Sequence, residues 1–100
     1  MRTLVLTPEA FNDLRAATRW YEEQRSGLGA TFEQAIDAAL MRLQRVPLSF
    51  PAVAEPFRSA VVKRFPYDIY FSVDDQRVLV VLFIHTARDP KVILERLRRH

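Results

Sequence analysis

Residues 77–85, RVLVVLFIH, are apolar on both faces of an extended chain: Val78, Val80, Leu82 and Ile84 alternate with Leu79, Val81 and Phe83. A strand of this kind has to lie inside a sheet and be covered on both sides. The chain must therefore supply neighbouring strands and at least one layer to pack on them. Just upstream, residues 67–73 alternate strictly, with Tyr67, Ile69, Phe71 and Val73 on one face and Asp68, Tyr70 and Ser72 on the other. The acidic pair Asp74–Asp75 joins these two strands. Residues 57–65 predict a third, moderately amphipathic strand, which Pro66 ends by removing a ladder donor.

The covering layer comes from the first half. Residues 2–6 predict a short strand that stops at Thr7-Pro8, a good N-cap followed by a residue suited to the first helical position. Glu9 suits the positive end of the helix dipole. Phe11, Leu14, Thr18 and Tyr21 then recur at helical spacing, with Ala10 and Ala17 beside them, up to about Arg25. Gly27 and Gly29 are the only glycines in the chain, and they mark the corner of a helical hairpin. The second helix carries a continuous stripe of Leu28, Phe32, Ile36, Ala39, Leu43 and Val46, widened by Ala35 and Leu40, and Pro47 ends it. Residues 47–56 hold three of the six prolines and read as a loop. Asp89-Pro90 repeats the cap-and-proline start, so a last helix begins there. The expected fold is α+β: one domain over residues 1–100, with a helical hairpin packed on a mainly antiparallel four-stranded sheet in the order β-α-α-β-β-β and a short C-terminal helix. The second face of the sheet is left to that C-terminal segment or to a partner.

Composition narrows the class. With 49% hydrophobic and 27% charged residues the sequence is that of a soluble globular domain. It has no cysteine, which rules out disulfides and cysteine-based zinc sites. No run approaches the roughly 18 apolar residues of a membrane span, and Thr3 to Leu6 is too short for a signal peptide, so the expected location is the cytoplasm, with no membrane contact. Residues 1–50 balance six arginines against six acids, whereas residues 51–100 carry nine Lys/Arg against six acids. The basic excess falls in the sheet half and favours an acidic partner.

Candidate site residues follow from that half. Arg58, Lys63, Arg64 and Arg88 form a basic set with His85. On an extended strand Arg58 and Arg64 share a face about 20 Å apart, while Lys63 and Arg64 point to opposite faces. Such cations could grip a phosphate backbone, or serve only as edge charges that block strand pairing. His85 could act as a general base beside Arg88, or hold a turn by packing and hydrogen bonding. Trp20 and Tyr21 fit core or interface positions. Two histidines without cysteines argue against a metal site, and two glycines cannot build a phosphate loop, so neither metal nor cofactor is expected.

The ordered set Trp20-Tyr21-Glu22, Gly27-Leu28-Gly29, Phe32, Pro47, Arg58, Arg64-Phe65-Pro66-Tyr67, His85 and Arg88-Asp89-Pro90 resembles the RelE/ParE superfamily of toxins from type II toxin–antitoxin systems. The resemblance spans nearly the whole chain and implies a protein antitoxin as partner. That antitoxin would cover apolar sheet surface, here assigned to Tyr70, Leu79, Val81 and Phe83. It also implies one of two targets. The RelE-like branch cleaves messenger RNA on the ribosome with cations and a Tyr or His acid/base, for which this chain offers His85, Arg88 and Arg64. The ParE-like branch inhibits DNA gyrase through protein contacts, for which Arg58, Lys63, Arg64 and Arg88 are the expected target-binding residues. Where the RelE-like pattern has an arginine this chain has Asp68. Its lysines fall near Ser59 and Val61 and its acid/base near Leu94. These departures favour the ParE-like branch, with a degenerate relative that keeps the fold and antitoxin binding but not toxicity as a further alternative to the RelE-like nuclease.

Overall fold

The computed structural model describes residues 1–100. Along the chain come β1 (Thr3–Leu6), α1 (Pro8–Gln24), α2 (Leu28–Arg45), β2 (Ala52–Ala54), β3 (Phe57–Val61), β4 (Tyr67–Val73), β5 (Arg77–His85) and α3 (Pro90–Arg98). The sheet order is β1-β5-β4-β3-β2, with β1 parallel to β5 and the other pairs antiparallel. The strand apolar on both faces is internal, as its composition requires. The fold is the expected α+β type, with five strands in place of four. The extra strand, β2, lies in the proline-rich segment expected to be a loop. Three residues carry no readable periodicity, and β2 forms because the outer edge of β3 offers backbone groups for it to pair with.

The helix starts are local. The Thr7 hydroxyl accepts the Ala10 N–H at 3.1 Å, and Pro8 fills the first position of α1. Asp89 accepts from Lys91 N–H at 2.9 Å and starts α3 in the same way. The α1–α2 corner has a less obvious device. Gly27 takes a left-handed φ of 89° and has no side chain to cap α2. The Glu22 carboxylate does that work from α1, accepting the N–H groups of Gly27 and Gly29, each at 3.0 Å. A Cβ on Gly29 would lie 3.0 Å from the Thr18 carbonyl oxygen, so glycine there lets the helices approach.

Both helices bury one stripe. On α2, Phe32, Ile36, Ala39, Leu40 and Leu43 are buried as the spacing predicts, while Val46 lies beyond the helix and is exposed. On α1 the buried face is Ala10, Ala17 and Tyr21, with Leu14 half-buried. Phe11, expected on that stripe, is 49% exposed, so the stripe is rotated toward the alanines. These small residues let α1 lie close to the sheet. Each large side chain so buried stabilises the fold by about 1.5–3 kcal/mol before entropy is counted.

The strands differ from expectation at two points. The third predicted strand stops at Val61, before Lys63 and Arg64. Val62 N–H still bonds the Tyr67 carbonyl at 2.9 Å, but Arg64 adopts φ 75°, so the chain turns there. Lys63 and Arg64 are therefore turn residues and not opposite faces of one strand. The second point is a bulge in β5. Tyr70 pairs with Leu82 and Phe71 with Val80, which leaves Val81 as the extra residue. Alternation is broken there. Val78, Val80 and Phe83 join the core under the hairpin, whereas Val81, Leu82 and Ile84 pack with Phe57 and Leu97 on the other face. Leu79, Val81 and Phe83 are thus not one uncovered face: Val81 and Phe83 are buried within the chain, and Phe83 faces the helices.

α3 supplies part of the second layer. Leu97 is buried and Ile93 packs beside it on Val81, Leu82 and Ile84. Leu79 and Tyr70 stay half-buried at the margin of this layer, and Val53, Val61 and Leu94 remain exposed. No helix is long and apolar enough to cross a membrane.

Candidate functional site

Chain segments far apart in sequence converge at one end of the sheet. The β3–β4 turn carries Lys63 and Arg64, and the segment after β5 carries Arg88. The two are tied by Thr86 N–H donating to the Pro66 carbonyl at 2.8 Å and by the pairing of Tyr67 with His85. Lys63, Arg64 and Arg88 are all exposed, and none of their side chains forms an ion pair or hydrogen bond within the chain. Arg58 is not part of this group. It lies opposite Phe71, well back along the sheet, where its guanidinium donates to the Phe50 carbonyl at 2.6 Å. That half-buried bond holds the segment leading into β2.

Arg64 sits in the left-handed region, where a residue with a side chain costs roughly 1–2 kcal/mol relative to ordinary backbone. Glycine would carry the turn more cheaply. Under this corner lies a set of aromatic rings. Tyr21 and Phe32 are 4.8 Å apart between ring centres, Phe65 stands 5.0 Å from Tyr21, and Tyr67 stands 5.2 Å from Phe32. Trp20 extends the set at one end and His85 at the other, 5.1 Å from Tyr21 and 5.6 Å from Tyr67. The scattered aromatic pieces of the sequence pattern are thus one cluster that supports the basic corner.

His85 is committed to that support. Its Nδ1 accepts the Ala87 N–H at 3.0 Å, locking the turn after β5. The hydrogen-bond pattern therefore assigns the remaining proton to Nε2 in the neutral ring. A ring arranged in this way can donate a hydrogen bond outward from Nε2, while its Nδ1 is engaged by the backbone of the turn. Burial raises the Tyr67 hydroxyl above its ordinary value; Tyr21 and Asp13 push the same way and Arg88 opposes them. Tyr67 is therefore neutral near pH 7 and no better suited to taking a proton.

Two residues were not picked out by sequence reasoning. Asp13 of α1 accepts a paired contact from Arg96 of α3, at 3.0 and 2.9 Å, and also the Phe83 N–H at 3.3 Å. It satisfies β5 where β1 no longer runs alongside, and it ties α3 to α1 across the sheet edge. The signal was present: Asp13 lies three residues after Ala10 and four before Ala17, so it is a charge on the buried side of a helix and requires a partner. Arg96, 83 residues away, had no such mark.

On the α3 side of the sheet Asp68 lines a cleft with Tyr70, Thr86 and Arg88. Burial raises its carboxyl above the ordinary range, and it also lifts Tyr70, whose own shift comes first from burial and then from Asp68. A carboxyl raised in the fold gives stability below its unfolded value near 3.8 and loses it as pH rises through the folded value. Asp68→Asn is expected to melt higher than the parent at pH 7, with the gap shrinking as pH falls through the raised folded value and closed below the unfolded value near 3.8. A gap that holds or widens in acid would show that Asp68 is stabilised, not strained, by its charge.

A family model described as ParE toxin of type II toxin–antitoxin system, parDE, matches residues 4–90. Among solved structures, a chain of the chromosomal ParDE TA system from P. aeruginosa superposes with a TM-score of 0.76 at 21% identity, covering 85% of this chain and 96% of that one. At that identity the likeness establishes the shared fold. No curated protein matches the chain. The family match runs from β1 to the start of α3 and takes in every segment of the aromatic and basic corner, so the chain belongs to the ParE toxin family of type II toxin–antitoxin systems.

Proposed function

We propose that this toxin inhibits DNA gyrase by protein contact and is neutralised by a cognate antitoxin. The observation that carries the reading is the exposed corner itself. It presents three unpaired cations on a rigid aromatic base, with one of them held in a strained backbone conformation. An exposed arginine kept where glycine would make the same turn more cheaply is a mark of use. Beside these cations no group is set up to move a proton, and Asp68 on the sheet would repel an RNA phosphate. Lys63, Arg64 and Arg88 are the target-binding residues in this reading. Arg58 contributes only by holding the backbone at Phe50. Antitoxin contact falls on the apolar margin that α3 leaves open, around Tyr70 and Leu79, with Val81 beneath it; Phe83, which faces the helical hairpin, takes no part.

The RelE-like alternative, ribosome-dependent cleavage of messenger RNA, has one observation in its favour. Arg64, His85 and Arg88 do lie at the same end of the sheet. The fixed Nδ1 of His85 counts against it.

The test is supercoiling by purified gyrase. The parent protein should inhibit it, less strongly as salt rises, because exposed charge contacts are screened. Arg64→Glu and Arg88→Glu should each weaken inhibition by about three- to tenfold. Undiminished inhibition by a triple Lys63, Arg64 and Arg88 to Glu variant would remove this corner from the function.

A further inference from the structure

The edge of β5 beyond β1 borders a cleft of about 250 Å³ that the basic corner only partly explains. It is smaller than the roughly 300–1,000 Å³ typical of small-molecule sites, so it suits one or two side chains. Ala16 and Ala17 of α1 line it together with Trp20, Tyr67, His85 and Arg88. Trp20 is the only tryptophan and is 54% exposed, an unusual place for the largest apolar side chain in the sequence. Its ring stands edge-on to Tyr21, 5.1 Å between centres. At the inner end, Asp13 already neutralises Arg96, and Glu9 lies 3.8 Å from the same guanidinium. Arg88 is the one charge in the cleft without a partner.

The occupant that fits is an apolar side chain against Trp20 with a single carboxylate beside it for Arg88. A nucleic-acid strand fits less well. Arg88 lines this cleft together with Asp13 and the α3-side cleft together with Asp68. A run of phosphates reaching Arg88 would meet one of these carboxylates, whereas a single acidic side chain would not. The two clefts share Arg88, so one extended chain lying on Tyr70 can continue over the end of the sheet into the Trp20 cleft. We propose that the cleft between Trp20 and Arg88 is a docking site for a segment of the antitoxin in which a large apolar residue stands next to an aspartate or glutamate. This rests on the reading above, and it gives neutralisation a means. The antitoxin covers Arg88 and so removes a target-binding cation from use.

The single tryptophan makes the test direct. In the ¹⁵N-labelled protein, the indole N–H signal of Trp20 should shift saturably on addition of the blocked dipeptide acetyl-Leu-Asp-amide. The Asn counterpart should bind about threefold or more weakly, and Arg88→Glu should abolish saturation for the acidic peptide. With the antitoxin bound, acrylamide quenching of Trp20 should fall severalfold. The proposal is overturned if the indole does not shift, if the Asp and Asn peptides bind alike, or if uridine monophosphate binds more tightly than the acidic peptide. It is also overturned if Trp20 stays as open to acrylamide in the complex as in the free protein. Gyrase inhibition relieved by the antitoxin, with Trp20 untouched, would leave the gyrase reading standing and discard only the cleft.

Discussion

Phe32→Ala is expected to destabilise the protein by about 3–5 kcal/mol. Phe32 is fully buried and its ring meets Tyr21, Phe65 and Tyr67 at 4.8, 5.1 and 5.2 Å between centres. Removing it leaves a hole where α1, α2 and the β3–β4 turn come together. Aromatic pairs of this geometry each add about 0.5–1.5 kcal/mol beyond burial, so several are lost at once. In a domain of this size the melting point should drop by more than about 10 °C. Trp20 emission should shift as well, because its neighbour Tyr21 loses support. A loss under about 1 kcal/mol would mean the aromatic cluster does not hold the corner together.

Leu43→Ala separates stability from the site. Leu43 is also fully buried on α2, but it lies three helical turns away from Phe32 and belongs to no aromatic contact. The expected loss is about 2–5 kcal/mol from transfer and cavity terms. Trp20 emission in the folded protein should not change. A denaturant melt showing less than about 0.5 kcal/mol would mean that the α2 stripe is not the core face. A shifted Trp20 signal would mean that the corner is coupled to the far end of the hairpin.

What the sequence conveyed and what it hid have physical reasons. The two helices, the caps at Thr7 and Asp89 and the buried β4–β5 pair were legible because each is written in a local signal: a period, a hydroxyl or carboxylate before proline, or an unbroken apolar run. The Asp74 turn is of the same kind. Its carboxylate accepts the N–H groups of Gln76 and Arg77, each at 2.8 Å, and these bonds, the Gln76 one first, hold its carboxyl below the usual range. The faces of β5 were misassigned because one inserted residue, Val81, reverses the alternation, and Val81 looks like any other valine. The end of β3 was misplaced because the turn is made by Arg64, in a conformation that sequence reasoning associates with glycine. β2 was missed because its pairing is decided by β3 and not by its own three residues.

The site was half legible. His85, Arg88, Lys63 and Arg64 were picked out, and the fold brings them to one corner although they come from different elements. By spacing Arg58 shares only a strand face with Arg64, and it lies elsewhere because it sits opposite Phe71, back along β3, with its guanidinium bonded to the Phe50 carbonyl. Trp20 reads as a core or interface residue, and it is half-exposed because it falls outside the buried face of α1 formed by Ala10, Ala17 and Tyr21. The Asp13–Arg96 pair links α1 to α3 over 83 residues, a distance at which no spacing rule applies.

The central claim is that this toxin acts by contact and not by proton transfer. It is tested most directly by assaying the parent and His85→Gln side by side for gyrase inhibition and for cleavage of ribosome-bound messenger RNA. Glutamine keeps a hydrogen-bonding group of similar reach at the turn. Both proteins should inhibit supercoiling to a similar extent, and neither should cut the message. Cleavage by the parent, reduced about 10²–10⁴-fold in the variant as expected for loss of a general acid or base, would contradict the claim.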